Sequence, residues 1–225
     1  MAKKVLFALT SHNELGGTGR KTGFYVPEVA HPAAVFREAG YEIEYVSVKG
    51  GAAPQDGINP DDTVVAAFLG DTATARALAT TPVAADLKAA DYDVLYYAGG
   101  HGTMWDFPDA TELATLAAEI YEAGGVVAAV CHGPAGLVNL KLSDGSYLVD
   151  GKQVSSFTDE EEAAVGLTGV VPFLLESTLA DRGAKITKTA NFAEHAVSDQ
   201  RLVTGQNPAS AAKVAELAVA ALAAR

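Results

Sequence analysis

Apolar positions along this chain fall into two spacings. Val5-Leu6-Phe7-Ala8-Leu9 and Val126-Val127-Ala128-Ala129-Val130 are unbroken apolar runs, the pattern of strands buried on both faces. Tyr41 to Val48, with glutamates at alternate places, and Asp93 to Tyr97 read as two more strands. Between them, Pro27 to Ala39 and Ala110 to Ala123 repeat their apolar residues at the helical period, and alanine-rich Ala209 to Ala224 reads as a closing helix. Such strands joined by helices predict a doubly wound α/β fold, a mostly parallel sheet with helices on both faces. Three stretches depart from the alternation. Ser11 to Gly23 is a polar, Gly-rich loop, Gly50 to Thr80 reads as a loop and helical insertion, and Tyr147-Leu148-Val149 and Gln153-Val154-Ser155 flank Asp150-Gly151-Lys152 as a hairpin would.

At about 150 residues per domain, 225 residues make one domain over 1–225 with small insertions. Forty-nine percent of them are apolar, enough for a sizeable core, which excludes disorder. Lys and Arg number 16 against 28 Asp and Glu, a net charge of −12 that lacks the basic footprint of nucleic-acid binding. The longest apolar stretches, Val126 to Val130 and Val214 to Ala224, are too short or interrupted to span a bilayer. Met-Ala-Lys-Lys followed by Val5 to Leu9 reads as a first strand and not a signal peptide. A single cysteine, Cys131, permits no intrachain disulfide, so a reducing cytoplasm is the expectation.

That cysteine ends the second apolar run. Val130-Cys131-His132-Gly133-Pro134 is a strand, a sharp turn and a helix start that tolerates Pro134, the layout of a nucleophile elbow. Helix N–H groups there favour an anion, so the thiol pKa is expected to fall below its ordinary value near 8.5. Sequence adjacency does not bring His132 within reach of Cys131, and a plain helix cap is the bland reading of that histidine.

Tyr96-Tyr97-Ala98-Gly99-Gly100-His101-Gly102-Thr103 is a second strand running into glycines at the edge where open α/β sheets bind ligands. The Gly100 N–H reads as an oxyanion donor beside that of His132, and Gly99, His101 and Trp105 read as pocket wall, though a plain turn competes. Glu28 in Val26-Pro27-Glu28-Val29-Ala30-His31-Pro32 starts a helix, where most carboxylates merely complement the dipole. Five scattered histidines and one cysteine show no zinc spacing, so neither metal nor cofactor is expected.

Together these segments, with Leu202 to Ser210, resemble the PfpI-type branch of the class I glutamine amidotransferase-like superfamily, nearest to its cofactor-independent glyoxalases (glyoxalase III), also described as heat-shock chaperones and deglycases. The likeness runs in order over essentially the whole chain. It implies a flavodoxin-like sandwich, a homodimer, a nucleophile at Cys131, a catalytic histidine at His132 and an acid beside the thiol at Glu28. Phe157-Thr158-Asp159-Glu160-Glu161-Glu162 matches the Phe-Thr-Asp-x-x-Glu segment that supplies the partner of the histidine, pointing to Glu162. Spacing alone leaves Glu160, Glu161 and Glu162 open. Consecutive helical side chains point about 100° apart, so one of the three is expected to face the sheet edge and the others water. Gln206-Asn207-Pro208 stands where glutamine amidotransferases carry His-Pro-Glu, which argues against glutaminase activity.

The implied reaction is conversion of a small dicarbonyl, methylglyoxal or glyoxal, with water to D-lactate or glycolate, without glutathione. Competing readings are a cysteine-dependent deglycase, amidase or peptidase and, outside catalysis, a holdase chaperone or an oxidative-stress sensor acting through Cys131.

Overall fold

The computed structural model describes residues 2–224. The chain opens with β1 (Lys4–Leu9), β2 (Phe24–Tyr25), α1 (Pro27–Glu38), β3 (Glu42–Ser47) and β4 (Gln55–Asp56). Helices α2 (Thr63–Gly70) and α3 (Thr72–Ala79), strand β5 (Val94–Tyr97), α4 (Thr103–Asp106) and α5 (Thr111–Glu122) follow. Next come β6 (Val126–Val130), β7 (Gln153–Val154), α6 (Asp159–Ala164) and α7 (Leu175–Asp181). The chain closes with β8 (Lys185–Ile186), β9 (Ala196–Asp199), β10 (Leu202–Gly205) and α8 (Ala211–Ala223).

Six strands form the central sheet in the order β3-β1-β5-β6-β10-β9. All neighbours are parallel except β9, an antiparallel edge strand on β10. This is the doubly wound, flavodoxin-like arrangement, with β1 inside and β3 at its flank. Period-two alternation divides the core. Val5, Phe7, Leu9, Val126, Ala128 and Val130 face the layer of α1 and α8, while Leu6, Ala8, Val127 and Ala129 face the layer of α5. Both faces of the strands are covered, which is why their runs are apolar throughout.

The Gly50 to Thr80 insertion holds β4, α2 and α3, each helix capped by an aspartate, Asp62 and Asp71. Hairpin pairing about Asp150-Gly151-Lys152 does not occur. Gln153 and Val154 pair in parallel with Lys185 and Ile186, and Tyr147 bridges Lys141. Asp150 and Gly151 form the turn, yet a second parallel partner from downstream outcompetes the local one. Among the described residues no helix is long and apolar enough to cross a membrane.

Candidate active site

Parallel topology brings the carboxyl ends of β5 and β6 to one edge of the sheet, beside the start of α1. At the end of β6, Cys131 takes a left-handed backbone with φ 59°. That conformation costs a residue with a Cβ about 1–3 kcal/mol and persists only where surroundings impose it. They do so here: the Cys131 N–H donates to Gly205 O at 3.0 Å, and Cys131 O accepts from the Phe157 N–H at 2.8 Å. Two residues on, a Cβ at Gly133 would overlap Tyr97 O, so only glycine clears the neighbouring strand. The elbow expected from the sequence is therefore built. Beyond it the chain runs into a 3₁₀ stretch, Gly133–Leu137, and not a long α-helix.

The turn points the next side chain back at the thiol. His132 Nδ1 lies 3.3 Å from Cys131 Sγ, and its Nε2 lies 2.7 Å from Glu162 Oε2. His101 Nε2 stands 2.9 Å from the other oxygen, Oε1. Glu162 comes from the first turn of α6, whose N-cap Thr158 forms a capping box with Glu161. Burial pushes the Glu162 carboxyl up, but hydrogen bonds from His101 and His132 outweigh it and hold the group at about 2. Burial, with His101 alongside, pulls His132 down to about 4. At neutral pH an ionised Glu162 thus takes the Nε2–H of a neutral His132, and the Nδ1 lone pair faces the thiol.

Glu28, second residue of α1, is fully buried and not solvated. Both of its oxygens lack a hydrogen-bond partner of good geometry, Cys131 and the Gly99 backbone being its nearest polar neighbours. Burial raises this carboxyl to about 8, so it holds its proton at neutral pH. The expected fall of the thiol pKa does not occur. Burial pushes Cys131 well above its ordinary range, and the Glu28 carboxyl beside it pushes it further. The 3₁₀ stretch is too short to offset this through a dipole. The resting site holds a neutral thiol beside a neutral imidazole.

Gly99 and Gly100 carry backbone where no side chain fits. A Cβ at Gly99 would overlap Glu28 Oε2, and one at Gly100, where φ is 106°, would overlap Gly23 O. Gly99, expected as pocket wall, therefore lies behind the thiol and carboxyl and does not line the cavity, while Gly100 does. Among the described residues the Gly100 N–H has no acceptor, and the His132 N–H faces the sulfur. The buried Thr103 hydroxyl contacts both Gly100 O at 2.9 Å and His132 O at 3.0 Å, tying the two loops together.

Cys131, His132, Glu28, Gly100 and His101 all line one cavity of about 220 Å³. Trp105 is not among its walls. It stacks on His12, ring centroids 5.1 Å apart, because α4 turns it toward the Ser11 to Gly23 loop. Tyr25, Asp56, Phe157, Val165, Phe192 and Pro208 complete the lining, and no sequence pattern marks them as wall, although Phe192, with φ 62°, is as strained as Cys131. Histidine spacing in sequence also concealed a cluster: ligand atoms of His101, His132 and Glu162 lie within 4.8 Å of one another. These are the residues that could hold a cation, which would have to displace both Nε2–H donors from Glu162.

Neither does only one of the three glutamates turn inward. Glu160 is exposed, while Glu161 and Glu162 are both buried. Helix α6 sits in a corner, so two of its faces meet protein.

The profile of the DJ-1/PfpI family matches residues 21–221. The chain belongs to the DJ-1/PfpI family. Within it, Glyoxalase 3 of Candida albicans is 38% identical over 97% of this chain and 98% of its own. Glutathione-independent glyoxalase HSP31 of Saccharomyces cerevisiae is 37% identical over 98% of each. The crystal structure of glyoxalase III from Candida albicans superposes with a TM-score of 0.89 at 39% identity, covering 97% of both chains. Drosophila melanogaster DJ-1beta, at 20% identity, shares the fold with a TM-score of 0.63 over all of this chain and 91% of its own.

Proposed function

We propose that this chain is a glutathione-independent glyoxalase converting methylglyoxal or glyoxal with water to D-lactate or glycolate, with Cys131 as nucleophile. One observation carries the reading: His132 stands with Nδ1 3.3 Å from Cys131 Sγ and Nε2 on Glu162. The near full-length relatives named as glutathione-independent glyoxalases support it.

His132 Nδ1 takes the thiol proton as sulfur adds to the aldehyde carbon, then returns it to the aldehyde oxygen, leaving a hemithioacetal. The same nitrogen, again a free base, removes the proton from that carbon. Electrons move onto the keto oxygen, which takes the proton of the neighbouring hydroxyl within the enediolate. The imidazolium then delivers the proton it removed to the former keto carbon, and the other oxygen becomes the carbonyl of a 2-hydroxy-acid thioester. Water then breaks the sulfur–carbon bond, and the sulfur regains a proton. The Gly100 and His132 N–H groups serve the developing oxyanion. Protonated Glu28 donates to the sulfur as it gains charge.

Three large apolar side chains are exposed among the described residues, Ile58, Val165 and Phe192, and two of them line this cavity. That scatter favours the enzyme over a holdase, which needs a broad apolar patch. The test is to incubate pure protein with methylglyoxal in the absence of glutathione and follow D-lactate. Turnover is expected, with a loss beyond about tenfold in Cys131→Ser. No lactate, or a Cys131→Ser variant as active as wild type, overturns the reading.

A further inference from the structure

The cavity above Cys131 is bounded on one side by aromatic rings that no step of the reaction uses. Phe157 lies against the imidazole of His132, ring centroids 4.3 Å apart, and Phe192 follows at 6.3 Å from Phe157. A row of rings thus leads from the imidazole to the cavity mouth, where Val165 completes an apolar rim. A three-carbon dicarbonyl bound at the sulfur would leave most of this wall untouched.

The wall is held in place. Phe157 is fixed to the nucleophile itself, its N–H donating to Cys131 O at 2.8 Å. Phe192 keeps a left-handed backbone, a conformation unusual for a bulky side chain, and its N–H donates to Glu161 Oε1 at 2.7 Å. Its side chain remains 49% exposed. A strained, anchored and half-exposed aromatic at a cavity mouth is not explained by core packing, since burial recovers little there. An apolar ligand group covering it does explain it.

We propose that the cavity takes 2-oxoaldehydes whose keto carbon bears an aromatic or similarly sized apolar group, seated against Phe157 and Phe192. This rests on the glyoxalase reading and narrows it. The chemistry is unchanged: phenylglyoxal and water become mandelate, as methylglyoxal and water become lactate. The apolar group ends beside the rings, and the aldehyde reaches the sulfur.

The experiment compares kcat/KM for phenylglyoxal and methylglyoxal, concentrations corrected for aldehyde hydration, in wild type, Phe192→Ala and Phe192→Leu. Wild type is expected to favour phenylglyoxal by at least about tenfold, the low end of what one extra apolar group in a fitted pocket gives. Phe192→Ala should cut that ratio about tenfold, and Phe192→Leu should restore part of it. Lactate formed readily with mandelate no faster overturns this inference and leaves the glyoxalase reading standing, as does a ratio unmoved in Phe192→Ala. Absence of both products overturns the reading beneath it.

Discussion

The carboxylate of Glu162 lies 2.7 Å from Nε2 of His132 and thereby decides which ring nitrogen faces the thiol. An ionised carboxylate can only accept, so Nε2 carries the proton and Nδ1 is the free base 3.3 Å from sulfur. His101 occupies the second oxygen, so the carboxylate is held from two sides and cannot swing away.

Glu162→Gln removes the charge that fixes this tautomer and supports the imidazolium formed when the thiol proton moves. The expected result is a fall in kcat of at least about tenfold, about 1.4 kcal/mol of barrier. Steady-state kinetics with methylglyoxal checks it, and an unchanged kcat would mean that another residue orients His132.

The pH profile is set by two neighbours of the sulfur. His132 must be neutral to accept a proton, and it protonates only as pH falls to about 4. Glu28 must keep its proton to donate to sulfur, and it loses it as pH rises to about 8. kcat/KM should therefore run level between these values and fall on either side. In Glu28→Gln the fall near 8 should vanish while the acid fall stays. An alkaline fall unmoved by that substitution would assign it to a different group.

Stability carries the same signature with a definite sign. Glu28 titrates near 4.5 when exposed and near 8 when folded, so between those values the unfolded chain has lost a proton that the folded chain keeps. Wild-type stability must then fall with rising pH relative to Glu28→Gln, by up to about 1.4 kcal/mol per pH unit. His132, held down at about 4, acts oppositely between 4 and its ordinary 6.5, but equally in both proteins. Urea unfolding at about pH 5 and about pH 8 should show the variant gaining on wild type by on the order of 3 kcal/mol. A constant difference would mean that Glu28 is ionised in the folded protein.

Much of this site was legible because it depends on strand ends. Val126 to Val130 is the strand anticipated, Cys131 is its elbow, and Gly99-Gly100 ends the neighbouring strand. The roles proposed for Glu28 and Glu162 rest on resemblance to a family, since a carboxylate in a first helical turn is ordinarily solvated. Trp105, which the sequence places in the pocket wall, faces His12 instead, and Phe192 lines the cavity with no sequence signal, because which side of a loop faces the cavity is decided by contacts far along the chain. The thiol pKa rises where a helix start predicts a fall, because sequence shows that start but not its length or the depth of burial. The missing hairpin failed similarly: a turn motif says nothing of Lys185 waiting downstream.

Glu161 shows the limit of helical periodicity and gives the last prediction. Its carboxylate accepts from Thr158 N–H and hydroxyl, Phe192 N–H, Gln206 Nε2 and Asn207 Nδ2. Those donors come from the α6 cap, the Phe192 loop and the segment after β10, so one buried charge joins three pieces of chain around the cavity. Burial pushes this carboxyl up, yet the donors outweigh it and hold Glu161 ionised. Glu160, one residue earlier, only meets Lys188 at the surface, at 3.3 Å. An amide at position 161 would offer one acceptor and turn an N–H₂ toward groups that are themselves donors. Leaving buried donors unpaired costs about 1–3 kcal/mol, more where the lost partner is charged. Glu161→Gln should therefore lower unfolding free energy by about 3 kcal/mol, whereas Glu160→Gln should stay within about 0.5 kcal/mol, as surface pairs do. Chemical denaturation of the two variants separates these outcomes. Equal stability would mean that the Phe192 loop and the α6 cap are held by packing alone, and that the carboxylate between them is incidental.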